Sequence, residues 1–243
     1  LFNLGANIID VGGESTRPGS KEVKSIDEWK RIKFTLKKLK RKKIPISLDT
    51  RKSSIIEKGI KLKVKLINDI SGLNFDKETI KIIKKFKIPF VINHIQGSPS
   101  HMQKKPKYKN VLLDIYDYFE KILKNLDCKG IKHKNIIIDP GIGFGKNLKH
   151  NITLISNISI FHSLGFPILI GMSRKKFIGD ISNKNDSKYR LGGTIGANLF
   201  ALMNGVQILR VHDVNEVTQS IKIFKKLLNK NLWSKNILAQ TEY

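Results

Sequence analysis

The stretch "NIIDVGGESTRPGS", Asn7 to Ser20, contains the unit that the rest of the chain repeats. A short apolar run ends near Asp10, and a polar, glycine-rich loop follows it. Such a loop has few apolar side chains to bury, so it is poor material for a core. Its glycines let the backbone pass close to a ligand, with N–H groups free to bind an anion. The stretch therefore predicts a buried strand whose C-terminal end opens into a binding loop.

Six further apolar runs repeat this pattern, each followed by a polar or glycine-rich turn. The runs are continuous rather than alternating, which is typical of parallel strands buried on both faces. The predicted strands are Ile8–Val11, Ile44–Leu48, Leu66–Ile70, Phe90–Ile92, Ile136–Ile138, Ile168–Ile170 and Gln207–Val211. Helical periodicity appears between them, for example at Ile26–Leu39, Asp76–Phe86, Val111–Leu126 and Val214–Leu228.

Alternating strands and helices predict a parallel sheet with right-handed crossovers. Seven units in 243 residues indicate an α/β fold of the TIM type, a (β/α) barrel with seven of its eight βα units in this chain. A doubly wound open sheet is the alternative. We expect one barrel domain over residues 1–230 and a polar tail over residues 231–243. The opening "LFNLGAN" is interpreted as the last turn of a helix that ends at Gly5.

The chain is strongly basic, with a formal net charge of +26. A charge of that size attracts nucleic acid or phosphorylated ligands. However, 39 of the 46 basic residues are Lys, and Lys, Ile and Asn share codons made only of A and T. The lysines are also dispersed over helix faces, as in "WKRIKFTLKKLKRKK". We therefore do not predict a nucleic-acid partner.

Other features bear on the compartment. The sequence contains no apolar run of about 18 residues, so no membrane span is predicted. Its first residues lack the pattern of a secretory signal. The single cysteine, Cys128, cannot form an internal disulfide, which favours a reducing cytoplasm.

Polar side chains follow the C-terminal end of every predicted strand. In a parallel barrel these ends converge on one face, where active sites lie. The residues are Asp10, Asp49, Asn68 with Asp69, His94, Asp139, Ser173 with Arg174 and Lys175, and Arg210 with His212. The sequence therefore predicts an active site on that face.

These residue types suggest two neighbouring chemistries. Asp49, Asn68 and Asp139 could hydrogen-bond a flat, nitrogen-rich heterocycle through carboxylate and amide groups. Arg17, Arg210 and His212 offer donors suited to a phosphate or diphosphate. Two roles stay open, because Asp10 could brace backbone or contact ligand, and His94 could contact ligand or support a residue that does.

Three other functional motifs are not matched by the sequence. "GIGFGK" resembles a phosphate-binding loop, but Pro140 stands where glycine is required and Asn147 where Ser or Thr is required. No Cys/His cluster has the spacing of zinc ligands. Ser173 lacks the surroundings of a nucleophilic serine.

Seven motifs together resemble the dihydropteroate synthase family. They are "DVGGESTRPGS", "ISLDT", "INDISG", "NHIQGSP", "IIDPGIGFGKN", "GMSRKKFIG" and "RVHDV", in the right order from Gly5 to about Leu228. The resemblance implies a (β/α) barrel transferase of folate synthesis, which joins 6-hydroxymethyl-7,8-dihydropterin diphosphate to p-aminobenzoate and releases diphosphate. A pterin-binding methyltransferase would share the barrel but lack "ESTRPG" and "SRK". Two further hypotheses are a catalytically silent relative and a polyanion-binding protein.

The resemblance also implies roles for single residues. Asp49, Asn68, Asp139 and Lys175 would bind the pterin beside Phe144, with Asp49, Asp139 and Lys175 as the catalytic groups. Arg17, Arg210 and His212 would hold the diphosphate, and Thr16, Pro18 and Ser173 would border the p-aminobenzoate pocket. The family further implies Mg²⁺, a homodimer and inhibition by sulfonamides.

The sequence departs from the family at one place. The family begins with a strand ending in an "NVTPDSF"-like segment, whose Asn binds the metal and whose loop closes over the site. That segment is not in this sequence, so we assign no metal ligand. We expect this chain on its own to bind pterin weakly and to turn over slowly, with little dependence on Mg²⁺.

Overall fold

The computed structural model describes residues 1–228, and the predicted tail at 231–243 lies outside them. Seven short parallel strands form its centre. They are β1 (Ile9–Gly12), β2 (Ile46–Asp49), β3 (Leu66–Asp69), β4 (Phe90–Asn93), β5 (Ile136–Asp139), β6 (Leu169–Ile170) and β7 (Ile208–Leu209). Every strand overlaps its predicted run and begins and ends within two residues of it. The acidic residues Asp49 and Asp139 are the last residues of β2 and β5.

Helices connect and cover the strands. Those of the described residues are α1 (Ser25–Arg41), α2 (Ser53–Lys61), α3 (Glu78–Phe86), α4 (Val111–Cys128), α5 (Leu148–Ser156), α6 (Lys176–Ser182), α7 (Leu191–Met203) and α8 (Val214–Leu228). A 3₁₀ turn, Phe2–Leu4, precedes β1 and ends at Gly5 with φ 107°. Glycine is required at Gly5, because a Cβ there would come within 2.7 Å of Thr218 Cγ2 on α8.

The strands lie side by side in chain order. β1 to β5 form one parallel sheet, β6 pairs in parallel with β7, and a parallel bridge between Ile138 and Ile168 joins the two groups. A doubly wound sheet would reverse its strand order at a switch point, and this order does not reverse. The predicted TIM-type barrel is therefore confirmed and the open-sheet alternative is wrong.

Two apolar layers hold the strands in place. The larger one packs the strands against the surrounding helices, as α4 does with Val111, Ile115 and Phe119 on one face. A smaller cluster is formed by residues in or next to six of the strands: Leu66, Val91 and Leu169, with Ile8, Ile137 and Ile208 packed against them. Side chains that fill the interior in this way are typical of a (β/α) barrel. The strand ends above this cluster are left to polar residues.

None of the helices within residues 1–228 is both long enough and apolar enough to cross a membrane.

Candidate active site

Three strands of the same sheet, β2, β3 and β5, place buried polar groups at the C-terminal face of the barrel. Asp49 ends β2, Asn68 lies in β3 directly beside it in the register, and Asp139 ends β5. All three side chains are buried. Because burying such groups is unfavourable without partners, the neighbours of each one decide what it can do. We call these three residues together with Lys175 the carboxylate side.

Arg210, directly after β7, reaches across the barrel to the first two strands. Its Nε donates to Asp10 Oδ2 at 2.7 Å, and an Nη donates to Asp49 Oδ2 at 2.8 Å. Asn68 Nδ2 also donates to Asp10 Oδ2, at 3.3 Å. Asp10 therefore holds Asn68 and Arg210 in place. Of the two roles that the sequence left open for Asp10, this geometry favours a structural one. Its other oxygen, Oδ1, is buried and has no hydrogen-bond partner among the described residues.

Asp49 has an unusual protonation equilibrium. Burial, together with the nearby charge of Asp10, raises the pKa of Asp49 to about 8, although Arg210 opposes the shift. A carboxyl group with this pKa changes charge near neutral pH. It can donate a hydrogen bond to a ring nitrogen when protonated and accept one from a ring N–H when ionised.

Asp139 and Lys175 are close enough for their charges to influence each other. Asp139 accepts a hydrogen bond from the Gly141 N–H at 2.8 Å. Burial raises the pKa of Asp139, and the charge of Lys175 opposes that shift. The Nζ of Lys175 donates to the Ile142 carbonyl and lies 4.5 Å from the centre of the Phe144 ring. Burial lowers the pKa of Lys175 to about 8, so this amine also titrates near neutral pH.

The loop after β5 follows the end of β4 closely. A Cβ at Gly141 would lie 1.9 Å from the His94 carbonyl oxygen, so this close approach, at φ 71°, requires glycine. Lys146, which the sequence analysis did not select, is buried at the end of this loop. Its Nζ donates to the Phe144 carbonyl at 3.0 Å and to His94 Nδ1 at 3.0 Å.

His94 is consequently a supporting residue in this geometry. Burial, followed by the charge of Lys146, lowers the pKa of His94 to about 2, so its imidazole is neutral. Burial also lowers the pKa of Lys146 well below its ordinary value. Lys146 ties the glycine loop to β4 and holds Phe144 beneath Lys175. The sequence offered one signal for Lys146. This residue ends "GIGFGK" and directly precedes Asn147, which caps the start of α5.

A second part of the face, which adjoins the carboxylate side through Arg210, is cationic and more exposed. Arg17, Arg210 and His212 are all exposed, and we call them the cation side. Burial lowers the pKa of His212, and the charges of Arg210, Arg174 and Arg17 lower it further. Three arginines are therefore close enough to influence one imidazole. Arg174, with φ 57°, is held by Asp213 through a two-pronged ion pair.

The remaining predicted residues lie around this cation side. Ser173 is buried, and its Oγ lies 3.0 Å from His212 Nδ1. Thr16 is half-buried and Pro18 is exposed, both in the loop after β1. The tip of that loop touches the loop after β4, where the Gly19 N–H donates to the Pro99 carbonyl at 2.9 Å.

Two further buried groups received no role from the sequence. Asp69 ends β3, and its Oδ1 accepts from the Ser71 N–H and Oγ, while burial raises the pKa of Asp69 to about 6. Asn93 ends β4 and donates through Nδ2 to the Ile70 carbonyl at 3.1 Å. One oxygen of each side chain is buried without a partner in the described part of the chain.

The residues do not form a ready metal centre. Within residues 1–228 no group of three or more His, Cys, Asp or Glu side chains is placed to hold a metal ion. No ligand for the Mg²⁺ that the resemblance implies is therefore assigned among the described residues.

Known proteins resemble the chain over most of its length. Residues 1–212 match the family model described as "Pterin binding enzyme". The dihydropteroate synthase of Escherichia coli K12 is 37% identical over 230 residues, which cover 94% of this chain and 81% of that protein. This match and the family model agree with the motif resemblance over nearly the whole sequence.

Solved structures show the same relationship. A Yersinia pestis dihydropteroate synthase in complex with a sulfonamide drug superposes with a TM-score of 0.88 at 35% identity, covering 93% of this chain and 81% of that one. The Thermus thermophilus enzyme in complex with 4-aminobenzoate gives 0.88 at 33% identity, covering 93% and 86%. The chain therefore belongs to the pterin-binding enzyme family. Within that family it falls among the dihydropteroate synthases, which are transferases.

Proposed function

We propose that the chain condenses 6-hydroxymethyl-7,8-dihydropterin diphosphate with p-aminobenzoate to form 7,8-dihydropteroate and diphosphate. The observation that carries this proposal is the group of buried hydrogen-bonding side chains on the carboxylate side, at the ends of β2, β3 and β5. A flat heterocycle with ring N–H groups, an amino group and a carbonyl matches donors and acceptors of this kind. The relatives with this activity cover most of the chain.

The pterin is assigned to the carboxylate side. Asp139 would accept hydrogen bonds from adjacent ring N–H and amino groups, and Asn68 can both donate and accept. The Lys175 amine and the Phe144 ring lie 4.5 Å apart and would form one wall of the pocket. Asp49 would pair with the ring edge nearest Arg210, where its raised pKa allows either protonation state.

The diphosphate is assigned to the cation side. Arg17, Arg210 and His212 would donate hydrogen bonds to its oxygens and stabilise the charge that develops as it leaves. Arg210 spans both sides, because it already binds Asp10 and Asp49. When diphosphate binds, the same guanidinium would fix it relative to the pterin ring.

The reaction is an exchange at the pterin methylene. The bond between that carbon and the diphosphate oxygen breaks while positive charge develops on the pterin, which the carboxylate of Asp139, and that of Asp49 in its ionised form, would favour. The aniline nitrogen of p-aminobenzoate then forms the new carbon–nitrogen bond and loses a proton to solvent. This nitrogen is already neutral at pH 7, so the proposal needs no strong general base. Thr16, Pro18 and Ser173 would border the p-aminobenzoate.

Three further assignments accompany the proposal. Mg²⁺ is a family expectation, and no step here is routed through it. The free, exposed Cys128 is consistent with the cytoplasm.

A homodimer would cover exposed apolar side chains on α7 and α8, such as Phe200, Met203 and Ile223. Sedimentation would test this, because Met203→Glu should shift a dimer toward monomer.

The function is tested by product formation. With both substrates present, chromatography should detect 7,8-dihydropteroate together with equimolar diphosphate, and Asp139→Asn should abolish most of both. If the folded wild-type chain neither forms product nor binds 6-hydroxymethylpterin in calorimetry, the proposal is wrong.

A further inference from the structure

A buried ion cluster lies at the base of the loop after β1, outside the two sides of the site. It consists of Glu14, Glu28, Arg51 and Lys52, and we call it the Glu14 clamp. The side chains of Glu14, Lys52 and Glu28 are 9%, 6% and 0% exposed. The Lys52 Nζ donates to Glu28 Oε2 at 2.6 Å and also to Glu14 Oε2.

The clamp connects three segments that are far apart in sequence. Glu14 follows β1, Glu28 lies in the first turn of α1, and Arg51 and Lys52 follow β2. Thr50 Oγ1 donates to the second oxygen of Glu28 at 2.6 Å. The backbone is equally close, because a Cβ at Gly13 would come within 2.8 Å of the Glu28 carbonyl oxygen.

Glu14 also joins the two ends of its own loop. Its Oε2 accepts the backbone N–H of Val23 at 2.9 Å, so the chain returns after eight residues to the carboxylate from which it left. Its Oε1 accepts from Arg51 Nε at 2.9 Å. The Arg51 guanidinium lies 3.9 Å from the centre of the Phe75 ring and 3.7 Å from Glu22, at the far end of the loop.

This arrangement is an inefficient way to stabilise a fold. Burying two carboxylates and their cations carries desolvation penalties that well-packed apolar side chains would avoid. The clamp does, however, define one geometry for the segment Ser15–Glu22, because two cations and one N–H converge on a single carboxylate. Burial raises the pKa of Glu14, but the hydrogen bonds from Lys52 and Val23 and the charge of Arg51 outweigh it and keep the pKa below its ordinary value.

We propose that the Glu14 clamp is a positioning device that sets the loop bearing Thr16 and Pro18 over the p-aminobenzoate pocket. This inference rests on the proposed function, which assigns that pocket to the loop. None of the four clamp residues needs to touch a substrate. The clamp would act on the binding of p-aminobenzoate and leave the pterin pocket, built by the ends of β2, β3 and β5, unchanged.

The test compares the Michaelis constants of the two substrates. Glu14→Gln keeps the size of the side chain but removes the charge that Arg51 and Lys52 share. We expect the KM for p-aminobenzoate to rise about tenfold and that for pterin diphosphate to change less than about twofold, because misplacement of a positioning element acts on the group it positions. Glu78→Gln, which breaks an exposed 2.7 Å ion pair with Lys81 on α3, is the matched control.

A second variant and a second measurement complete the test. Arg51→Lys retains the charge but loses the planar guanidinium, and it replaces Glu14→Gln in the test if that variant does not fold. Hydrogen exchange of the Val23 amide gives a readout independent of activity, and it should accelerate in the clamp variant but not in the control. Equal rises in both KM values, or unchanged exchange at Val23, would overturn the inference. A wild-type chain that neither forms product nor binds 6-hydroxymethylpterin would refute the proposed function instead, while the exchange result would still decide whether the clamp orders the loop.

Discussion

The carboxylate side and the cation side of the face are built in different ways. The carboxylate side uses buried side chains on strand ends, where Asp49, Asn68 and Asp139 are fixed by neighbouring strands. The cation side uses exposed side chains, with Arg17 in a loop and Arg210 at 43% side-chain exposure. A rigid ring needs fixed partners, whereas a charged group that must enter and leave is served by donors that solvent can reach.

The difference has a consequence for protonation. Burial moves the pKa values of Asp49 and Lys175 toward about 8 from opposite directions. Arginines on the cation side keep their charge at any physiological pH. We therefore expect pH to affect binding of the pterin ring more than binding of diphosphate.

The largest expected difference is in the unfolding free energies of Arg210 and Arg17 variants. Arg210→Met leaves Asp10 and Asp49 without their shared cation, so the free energy of unfolding should fall by about 2–4 kcal/mol, less than for a fully buried pair because Arg210 is partly exposed. Arg17→Met should change it by less than about 0.5 kcal/mol. Urea denaturation measures both, and calorimetry with diphosphate should show weaker binding in each variant. Equal losses of stability would contradict the structural role given to the ion pairs of Arg210 with Asp10 and Asp49.

A smaller effect is expected at Asp69, the buried carboxyl group at the end of β3. Its folded pKa of about 6 lies above the ordinary value of 3.8, so its stabilising contribution is complete below about pH 4 and is lost as pH rises through 6. Asp69→Asn should therefore reduce the decline in unfolding free energy over this range by about 2–3 kcal/mol. Denaturation of both proteins at several pH values between 4 and 8 gives the slopes. Parallel slopes would contradict the assignment.

The smallest effect concerns Pro18 in the exposed loop. Pro18→Leu should change sulfonamide inhibition about fivefold, because a bulkier side chain alters the border of the p-aminobenzoate pocket. Binding of pterin diphosphate should remain nearly unchanged. Inhibition constants and calorimetric affinities measured on the same preparation would show this, and equal effects on both ligands would count against placing Pro18 at that pocket.

The sequence was sufficient for the fold and for most of the strand ends. Continuous apolar runs identify the strands. Asp49, Asn68 and Asp139 lie at or near the C-terminal ends of three of them, so each short segment contains both signals. Lys146 and the Glu14 clamp could not be found in this way. Lys52 and Glu14 are 38 residues apart, and among 39 lysines nothing local marks the few that the fold buries.

The role of Asp10 could also not be decided from the sequence alone. Its position near the end of the first strand predicted a role at the face, but the choice between bracing and ligand contact depended on Arg210, 200 residues away. Long-range ion pairs of this kind follow from the tertiary fold and not from local pattern. The fold must be known before such partners can be named.

The most direct test of the account measures pterin binding separately from turnover. Calorimetry with 6-hydroxymethylpterin should show affinity reduced about 10- to 100-fold in Asp139→Asn, because a charged acceptor is lost from a buried site. Asp180→Asn, at a surface pair with Lys176 on α6, should bind like the wild type, and Arg17→Ala should differ from it by less than about twofold. If folded Asp139→Asn binds pterin normally while Arg17→Ala loses binding, the assignment of the two sides is wrong.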